Sequence, residues 1–217
     1  MPTVLITGAA RGLGLEFVRQ YRAAGWDVVA TARGPSEELA ATGAEILALD
    51  MTDFGAVAGL KLGRPLDLLI ANAGIAQPPE ARTAQDGTDW LDTFRVNSIA
   101  PVLLAQALMP ALVESKGKAI AISSEMGSIS GSSAGWIPYR ASKAALNMAW
   151  HVLASEVRGQ GVTLAMMHPG WVQTDMGGAG AAIDPPTSVR GMVEVIEGLG
   201  IEQSGGFYGY DGREIAW

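Results

Sequence analysis

The stretch Thr7-Gly8-Ala9-Ala10-Arg11-Gly12-Leu13-Gly14-Leu15-Glu16 joins the first apolar run of the chain to its first helical run. Small residues at such a turn let the backbone approach a pyrophosphate, and the N–H groups of the following helix favour its charge. The spacing G-x-x-x-G-x-G differs from the common G-x-G-x-x-G, and no G-K-[ST] ending follows, as an ATPase phosphate loop requires. The turn therefore predicts a bound dinucleotide, with an ordinary glycine-rich turn as the alternative. The residues expected to hold it are Gly8, Ala10, Arg11, Gly12, Leu13 and Gly14.

Outward from this turn, short apolar runs alternate with longer helix-like stretches. The strand-sized runs are Thr3 to Thr7, Val28 to Thr31, Glu45 to Leu49, Leu66 to Ala71, Ala119 to Ser123 and Val162 to Met167. The helix-like stretches are Leu13 to Ala24, Trp90 to Val113 and Tyr139 to Arg158. Because the strands are continuously apolar, both faces of their sheet should be covered. We expect an α/β fold: one Rossmann-like domain over residues 1–217, a doubly wound parallel sheet flanked by helices on both faces.

Three irregular segments follow strands in this alternation, namely Asn72 to Thr88, Glu125 to Gly135 and Gly170 to Pro186. Ligands of doubly wound sheets bind outside the carboxyl ends of the strands. These segments are therefore expected to form the binding site, and residues 125–135 and 171–186 are expected to build its substrate side.

The amino-acid composition limits which classes of protein the chain can belong to. Of the 217 residues, 48% are hydrophobic and 17% are charged, which is typical of a packed globule. The formal charge of -7 argues against nucleic acid as a partner. The absence of cysteine excludes disulfides and thiolate metal sites and favours a reducing compartment, so we expect the protein in the cytoplasm.

Neither a membrane span, a signal peptide nor a metal site is expected. The apolar segment Ile99 to Val113 is interrupted by Pro101, Gln106 and Pro110 and is shorter than the roughly 20 residues that a bilayer requires. The N-terminus has no basic region before its apolar stretch. His151 and His168 have no second ligand at metal-binding spacing.

The end of the second strand bears on the choice of dinucleotide. An NAD-binding protein places an acid here to hold the ribose 2′-hydroxyl, but this chain has Ala32 and Arg33. Arg33 can pair with a 2′-phosphate, and Arg11 can add a second positive charge. We therefore expect NADP(H) to be preferred over NAD(H), with a solvated loop arginine as the alternative for Arg33.

The chain resembles the classical short-chain dehydrogenase/reductase family over almost its whole length. Asp50 and Met51 match its adenine-contacting position, and Asn72-Ala73-Gly74 matches its N-A-G element. Tyr139 and Lys143 form its Y-x-x-x-K pair, while Ser124 and Asn97 match its active-site serine and helix asparagine. The P-G-x-x-x-T segment that faces the nicotinamide corresponds to Pro169, Gly170, Val172 and Thr174.

Within the family, the compact length, His168-Pro169-Gly170 and the ending Tyr210-Asp211-Gly212-Arg213-Glu214 look most like the C-factor and sniffer-type carbonyl reductases. The gap from Ser124 to Tyr139 is wider than in many members, so Ser123 and Ser128 are alternatives to Ser124. The short segment after Thr174 implies an open substrate pocket.

The spacing of Tyr139 and Lys143 places both side chains on one face of a helix. Lowering the pKa of a tyrosine from about 10 to about 7 requires roughly 4 kcal/mol, which a lysine charge about 4 Å away can supply. The resemblance implies reduction of an aldehyde or ketone, with Tyr139 as general acid and Ser124 orienting the oxygen. Asn97 would hold a water that links Lys143 to solvent, and Thr174 would fix the carboxamide.

Apolar side chains in the predicted loops are candidates for the wall of the substrate pocket, namely Met126, Trp136, Trp171 and Met176. Two other functions stay open: an NADP-binding sensor with little turnover, and a sugar-nucleotide epimerase or dehydratase. The resemblance further implies a homodimer or homotetramer built through the two long helices.

Overall fold

The computed structural model describes residues 1–76 and 87–217, in which seven strands form one parallel sheet. The predicted loop Asn72 to Thr88 lies in part outside the described residues. The spatial order of the strands is β3-β2-β1-β4-β5-β6-β7. Their bounds are β1 (Thr3–Ile6), β2 (Asp27–Ala32), β3 (Glu45–Ala48), β4 (Leu68–Ala71), β5 (Lys118–Ile122), β6 (Thr163–His168) and β7 (Phe207–Gly209).

The strand order reverses at β1, and the glycine turn follows directly after this strand. Ile6 at the end of β1 pairs with Ala30 of β2 on one side and with Ile70 of β4 on the other. The chain leaves β1 toward β2 and leaves β4 toward β5, which lie on opposite sides of this pair, so a crevice opens between the segments that follow β1 and β4.

Helices cover both faces of the sheet, as the continuously apolar strands predict. Phe17 and Met192 pack with Ile6 in one core cluster, whereas Leu104 and Trp150 belong to a second cluster on the other face. The doubly wound α/β fold is therefore confirmed. The helices are α1 (Gly12–Ala23), α2 (Glu37–Ala40), α3 (Phe54–Gly59), α4 (Gly87–Phe94), α5 (Ala100–Ser115), α6 (Ile137–Val157) and α7 (Pro185–Gly198).

Several elements differ from the sequence prediction. The predicted helix Trp90 to Val113 is α4 and α5 joined by a π-helical turn, Arg95–Ile99. The seventh strand was not predicted, because β7 has three residues and follows two glycines. The predicted loop Gly170 to Pro186 ends inside α7, whose amino end is capped by the side chain of Asp184.

The run from α4 to α5 is longer than the sequence argument assumed. Gly87–Ser115 spans 29 residues and is apolar enough to cross a membrane by length and composition, so the length argument against a span was wrong. Within the fold, 56% of its most apolar window is buried, and Leu104, Leu108 and Leu112 belong to the core. The run packs as a core helix.

Candidate active site

A cavity of about 290 Å³ opens at the carboxyl ends of the strands, where the strand order reverses. It begins at the glycine turn and reaches Tyr139 and Lys143 on α6. The sequence-predicted residues that line it are Gly8, Ala10, Arg11, Gly12, Leu13, Gly14, Arg33, Asp50, Met51, Asn72, Ala73, Gly74, Tyr139, Lys143, Pro169, Thr174 and Met176.

Some lining residues escaped the sequence analysis. Ile75, Ile122 and Asp175 line the cavity: Ile75 and Asp175 directly follow the predicted site residues Gly74 and Thr174, and Ile122 lies at the end of a predicted strand. The rule that ligands lie at strand ends is the signal that would have found Ile122. Among the described residues that the sequence predicts, those not lining the cavity are Asn97, Ser124, Met126, Trp136, Gly170, Trp171 and Val172.

The glycine turn is held in shape by Asn72. Nδ2 of Asn72 donates to the carbonyl oxygens of Thr7 at 2.9 Å and Gly8 at 3.3 Å. Oγ1 of Thr7 in turn accepts from the backbone N–H groups of Asn72 and Ala73, both at 3.0 Å. Gly8 has a φ of +65°, which favours glycine. Asn72 thus fixes the backbone of the turn from β4.

The two arginines proposed for a 2′-phosphate are placed differently. Nη1 of Arg11 lies 2.8 Å from Oδ2 of Asp175, so the charge of Arg11 is met by a carboxylate across the cavity mouth. Arg33 is exposed on the cavity wall beside Asp50. The pKa of Asp50 is lowered mainly by hydrogen bonds from Thr52, with a smaller contribution from the charge of Arg33. Arg33 is therefore the better placed of the two arginines for an anion in this cavity.

At the other end of the cavity, the side chain of Ser124 lies close enough to the phenol of Tyr139 to lower its pKa. Ser124 caps a short 3-10 turn, Glu125–Gly127, by accepting from the N–H of Met126 at 3.1 Å. The alternative serines are bonded elsewhere: Ser123 donates to Oδ1 of Asn147 and Ser128 to the carbonyl oxygen of Ala216, both at 2.6 Å. Among the three serines, the geometry favours Ser124 as the partner of Tyr139.

Lys143 lies deeper than the sequence argument assumed. Its Nζ donates to the carbonyl oxygen of Ile122 at 2.8 Å and lies 5.8 Å from the centre of the Tyr139 ring. Burial lowers the pKa of Lys143 to about 8. Burial also raises the pKa of Tyr139 above its usual value, and the nearby side chain of Ser124 opposes this rise. The expected lowering of the Tyr139 pKa is thus not produced by these protein groups, and the phenol holds its proton at neutral pH.

Asn97 sits on the π-helical turn between α4 and α5. Its amide accepts from the N–H of Ile75 and donates to the carbonyl oxygen of Ile75, both at 2.8 Å, and Nδ2 also donates to Ser142 at 3.1 Å. A Cβ on Gly74 would lie 3.4 Å from Oδ1 of Asn97 and 3.6 Å from Nζ of Lys143. Both hydrogens of Nδ2 are used, so the predicted water would have to bond to the second lone pair of Oδ1.

The segment around Thr174 closes the cavity opposite the glycine turn. A Cβ on Gly12 would lie 3.5 Å from the Cγ2 of Thr174. Gly170 has a φ of +82°, and a Cβ there would overlap the side chain of Ile183. Val172 is buried and pairs with Ile183 in an isolated bridge. Gly170 and Val172 therefore shape the backbone that presents Thr174.

The four candidate wall residues are not equivalent. The ring of Trp136 meets that of Tyr139 edge to face at 6.2 Å, and Met176 lines the cavity. Met126 lies on the capped turn beside Ser124, where its carbonyl oxygen accepts from Arg140 at 3.5 Å. Trp171 is 59% exposed, and its Nε1 donates to the carbonyl oxygen of Gly177. Trp136 and Met126 thus lie next to the Tyr139 end, Met176 lies on the cavity wall, and Trp171 lies at the surface.

Comparison with known proteins places this geometry in a family. Residues 2–182 match the family model described as short chain dehydrogenase. The chain belongs to the short-chain dehydrogenases. This short-chain dehydrogenase is 42% identical over 155 residues to the C-signal of Myxococcus xanthus, a match that spans 70% of its own length and 93% of the relative's.

Two solved structures are similar over the whole chain. The carbonyl reductase Sniffer of D. melanogaster has a TM-score of 0.91 at 35% identity, with 100% of both chains covered. The NADPH-bound carbonyl reductase from chicken fatty liver has a TM-score of 0.89 at 34% identity, covering 100% of this chain and 99% of that one. The short-chain dehydrogenase is therefore an oxidoreductase of the C-factor and sniffer type, which confirms the resemblance.

Proposed function

We propose that this short-chain dehydrogenase reduces the carbonyl group of an aldehyde or ketone to an alcohol, with NADPH as the hydride donor. The observation that carries the proposal is that Tyr139 and Lys143, with the side chain of Ser124 beside the phenol, stand at one end of a cavity that starts at the glycine turn. This arrangement brings a protonated phenol and a hydroxyl to the site where a carbonyl oxygen would gain a proton.

The residues along the cavity fit a dinucleotide. The glycine turn exposes backbone beside the amino end of α1, which suits a pyrophosphate. Arg33, Asp50 and Thr174 also line the cavity, and Thr174 lies next to Gly12 of the turn. A bound nicotinamide dinucleotide supplies the hydride for the reduction.

Tyr139 and Ser124 have separate roles in the proposed reaction. Ser124 donates a hydrogen bond to the carbonyl oxygen and orients it, while Tyr139 gives its proton to the same oxygen as the alcohol forms. The proposed reaction needs Tyr139 to be protonated, and burial favours that form. Burial of Lys143 gives it a pKa of about 8, so its ammonium can exchange protons near neutral pH and help to restore the phenol.

The proposed preference for NADPH rests on Arg33. A charge-assisted contact with a 2′-phosphate is worth about 1.5 to 3 kcal/mol, or roughly tenfold to hundredfold in affinity. Arg33→Ala is expected to lower kcat/KM for NADPH by that factor and to leave kcat/KM for NADH unchanged. Arg95→Ala is a control, because Arg95 does not line the cavity and pairs with Asp92 of α4. Equal losses with both cofactors, or a wild-type preference for NADH, would contradict the assignment.

A second candidate function is an NADP-binding signalling protein with little turnover. The observation that favours it is the 42% identity to a relative named C-signal. The same cavity serves both candidates, so binding of NADPH does not distinguish them.

Turnover separates the two functions. Purified protein is mixed with NADPH and a panel of aldehydes and ketones, and the loss of reduced nicotinamide is followed together with formation of the alcohol. The reductase proposal predicts stoichiometric oxidation and alcohol formation with at least one carbonyl. Tight NADPH binding without oxidation on any substrate would favour the signalling protein.

We further propose a homodimer or homotetramer formed through α5 and α6, acting in the cytoplasm. Met148 and Val152 are one turn apart on α6 and are 66% and 46% exposed, and Ile99 beside α5 is 42% exposed. Apolar exposure of this kind suits a subunit interface. Light scattering on the wild type and on Met148→Glu measures the mass; a monomeric wild type would refute the assembly.

A further inference from the structure

The segment 213–217 lies against the turn that follows Ser124. Nη2 of Arg213 is 3.0 Å from Oε2 of Glu125, the first residue of that turn. The hydroxyl of Ser128 donates to the carbonyl oxygen of Ala216 at 2.6 Å, and the N–H of Ser130 donates to that of Trp217 at 2.9 Å. Three polar contacts thus join two segments that lie far apart in the sequence.

The segment itself is anchored to the sheet. The N–H of Ile215 donates to the carbonyl oxygen of Phe207 in β7 at 2.8 Å, and the side chain of Ile215 is buried. The ring of Trp217 stacks on Phe207 with centroids 5.9 Å apart and meets His151 of α6 edge to face at 5.3 Å. The segment is therefore held in place by β7 and α6, and it connects both elements to the turn.

The turn is also fixed from the side of the catalytic helix. A Cβ on Gly127 would lie 2.9 Å from the backbone of Lys143, so the turn packs directly on α6. Ser124 caps the turn through the N–H of Met126, and its hydroxyl position depends on where the turn lies. With α6 on one side and segment 213–217 on the other, the turn has little freedom to move Ser124 relative to Tyr139.

The ion pair between Glu125 and Arg213 is too exposed to matter much for the stability of the fold. The side chains of Glu125 and Arg213 are 47% and 51% exposed, and pairs exposed to that degree add little to the stability of a fold. His168 also lies 3.5 Å from Glu125. Burial lowers the pKa of His168, so Arg213 is the cation that Glu125 meets at neutral pH.

We propose that residues 213–217 act as a clamp that holds the Glu125–Gly127 turn and thereby positions Ser124 for proton transfer by Tyr139. Arg213 and Glu125 are positioning residues in this clamp, since their part is played through Ser124. The inference rests on the proposed carbonyl reduction.

The test removes the ion pair and compares it with a matched pair elsewhere. Arg213→Ala is expected to lower kcat about tenfold, as a small displacement of a catalytic group does, with the Kd for NADPH unchanged. Arg213→Lys should recover part of the loss, and Arg213→Ala combined with Glu125→Ala should lose no more than Arg213→Ala alone.

The control is Arg158→Ala, which breaks the pair between Arg158 and Glu202. That pair also has an Nη2 to Oε2 distance of 3.0 Å, but Arg158 precedes β6 and Glu202 precedes β7, so the pair lies at the amino ends of these strands, away from the Tyr139 end of the cavity. The control is expected to keep wild-type kcat. Unchanged kcat in Arg213→Ala, an equal loss in Arg158→Ala, or losses that multiply in the double variant would overturn the clamp.

Hydrogen exchange gives a readout that does not need turnover. Amides of residues 124–131 should exchange up to about fivefold faster in Arg213→Ala than in the wild type, as loss of an exposed ion pair allows, whereas those of β1 should not change. Unchanged exchange in 124–131 would overturn the clamp even if carbonyl reduction is confirmed. Failure of the wild type to reduce any carbonyl would instead refute the proposed function, while the exchange experiment still decides whether the segment holds the turn.

Discussion

Replacing Lys143 with methionine removes a positive charge from the interior next to the proposed catalytic tyrosine. The side chain of Lys143 is buried, and its polar contact with the protein is the hydrogen bond to the carbonyl oxygen of Ile122. Burial lowers the pKa of this lysine from 10.5 to about 8. The charged form is therefore held in the folded protein at a cost, which a methionine of similar length does not carry.

The size of the expected change in the free energy of unfolding follows from the pKa of Lys143. Lowering it from 10.5 to about 8 corresponds to about 3 kcal/mol of destabilisation at neutral pH. Loss of the hydrogen bond to Ile122 costs about 1 kcal/mol. Lys143→Met is thus expected to raise the free energy of unfolding by about 2 kcal/mol at neutral pH, while it should greatly lower the rate of reduction.

The difference in the free energy of unfolding between Lys143→Met and the wild type should become smaller as the pH rises. The folded-state pKa is below the unfolded one, so between about pH 8 and 10.5 the unfolded state binds more protons. The wild type therefore gains stability as the pH rises through this window. Below about pH 8, Lys143→Met exceeds the wild type in stability by the full amount. Above 10.5 only the lost hydrogen bond remains, and the variant becomes the less stable protein by about 1 kcal/mol.

Urea unfolding of the wild type and Lys143→Met, followed by circular dichroism at neutral pH and at several values up to pH 10.5, measures this difference. Lys61→Met is the control, because Lys61 is exposed. A variant that is less stable than the wild type at neutral pH, or a difference that does not shrink as the pH rises, would refute the reasoning.

Two further substitutions test the cavity. Gly14→Ala should lower stability by about 1 to 3 kcal/mol and weaken NADPH binding, because the new Cβ would overlap the carbonyl oxygen of Gly8. Gly59→Ala is its control, since a Cβ there meets nothing within 4 Å; equal thermal stability and NADPH Kd in both variants would count against the tight turn. Asn97→Ala should cost about 1 to 3 kcal/mol, because both backbone groups of Ile75 lose their partner. An unchanged urea midpoint would show that water replaces the amide without penalty.

The sequence predicted the elements whose signal is local. The glycine turn, the apolar strands and the Tyr139–Lys143 spacing are set by residues a few positions apart, and the structure confirms the fold that they imply. The strand β7 and the helix α7 were missed. β7 is too short to show a period, and its place in the sheet is decided by contacts with β6 rather than by its own residues.

The electrostatics of the site depended on tertiary contacts that spacing does not encode. The sequence offered Arg11 as a second positive charge for a 2′-phosphate, but it could not show that Asp175, 164 residues away, pairs with Arg11. The pKa of Tyr139 was expected to fall, but burial of the phenol raises it. The helix was predicted to be continuous at Asn97, where the structure has a π-helical turn. Such turns depend on packing, here on the bonds between Asn97 and Ile75.

The proposed proton transfer by Tyr139 is tested most directly by a single-turnover experiment. Enzyme preloaded with NADPH is mixed with a carbonyl substrate that the wild type reduces, and oxidation of the nicotinamide is followed in the wild type and in Tyr139→Phe. We expect the rate to fall by about 10²- to 10⁴-fold in the variant, with an unchanged Kd for NADPH. A Tyr139→Phe enzyme that oxidises NADPH and forms alcohol at the wild-type rate would contradict the role of Tyr139.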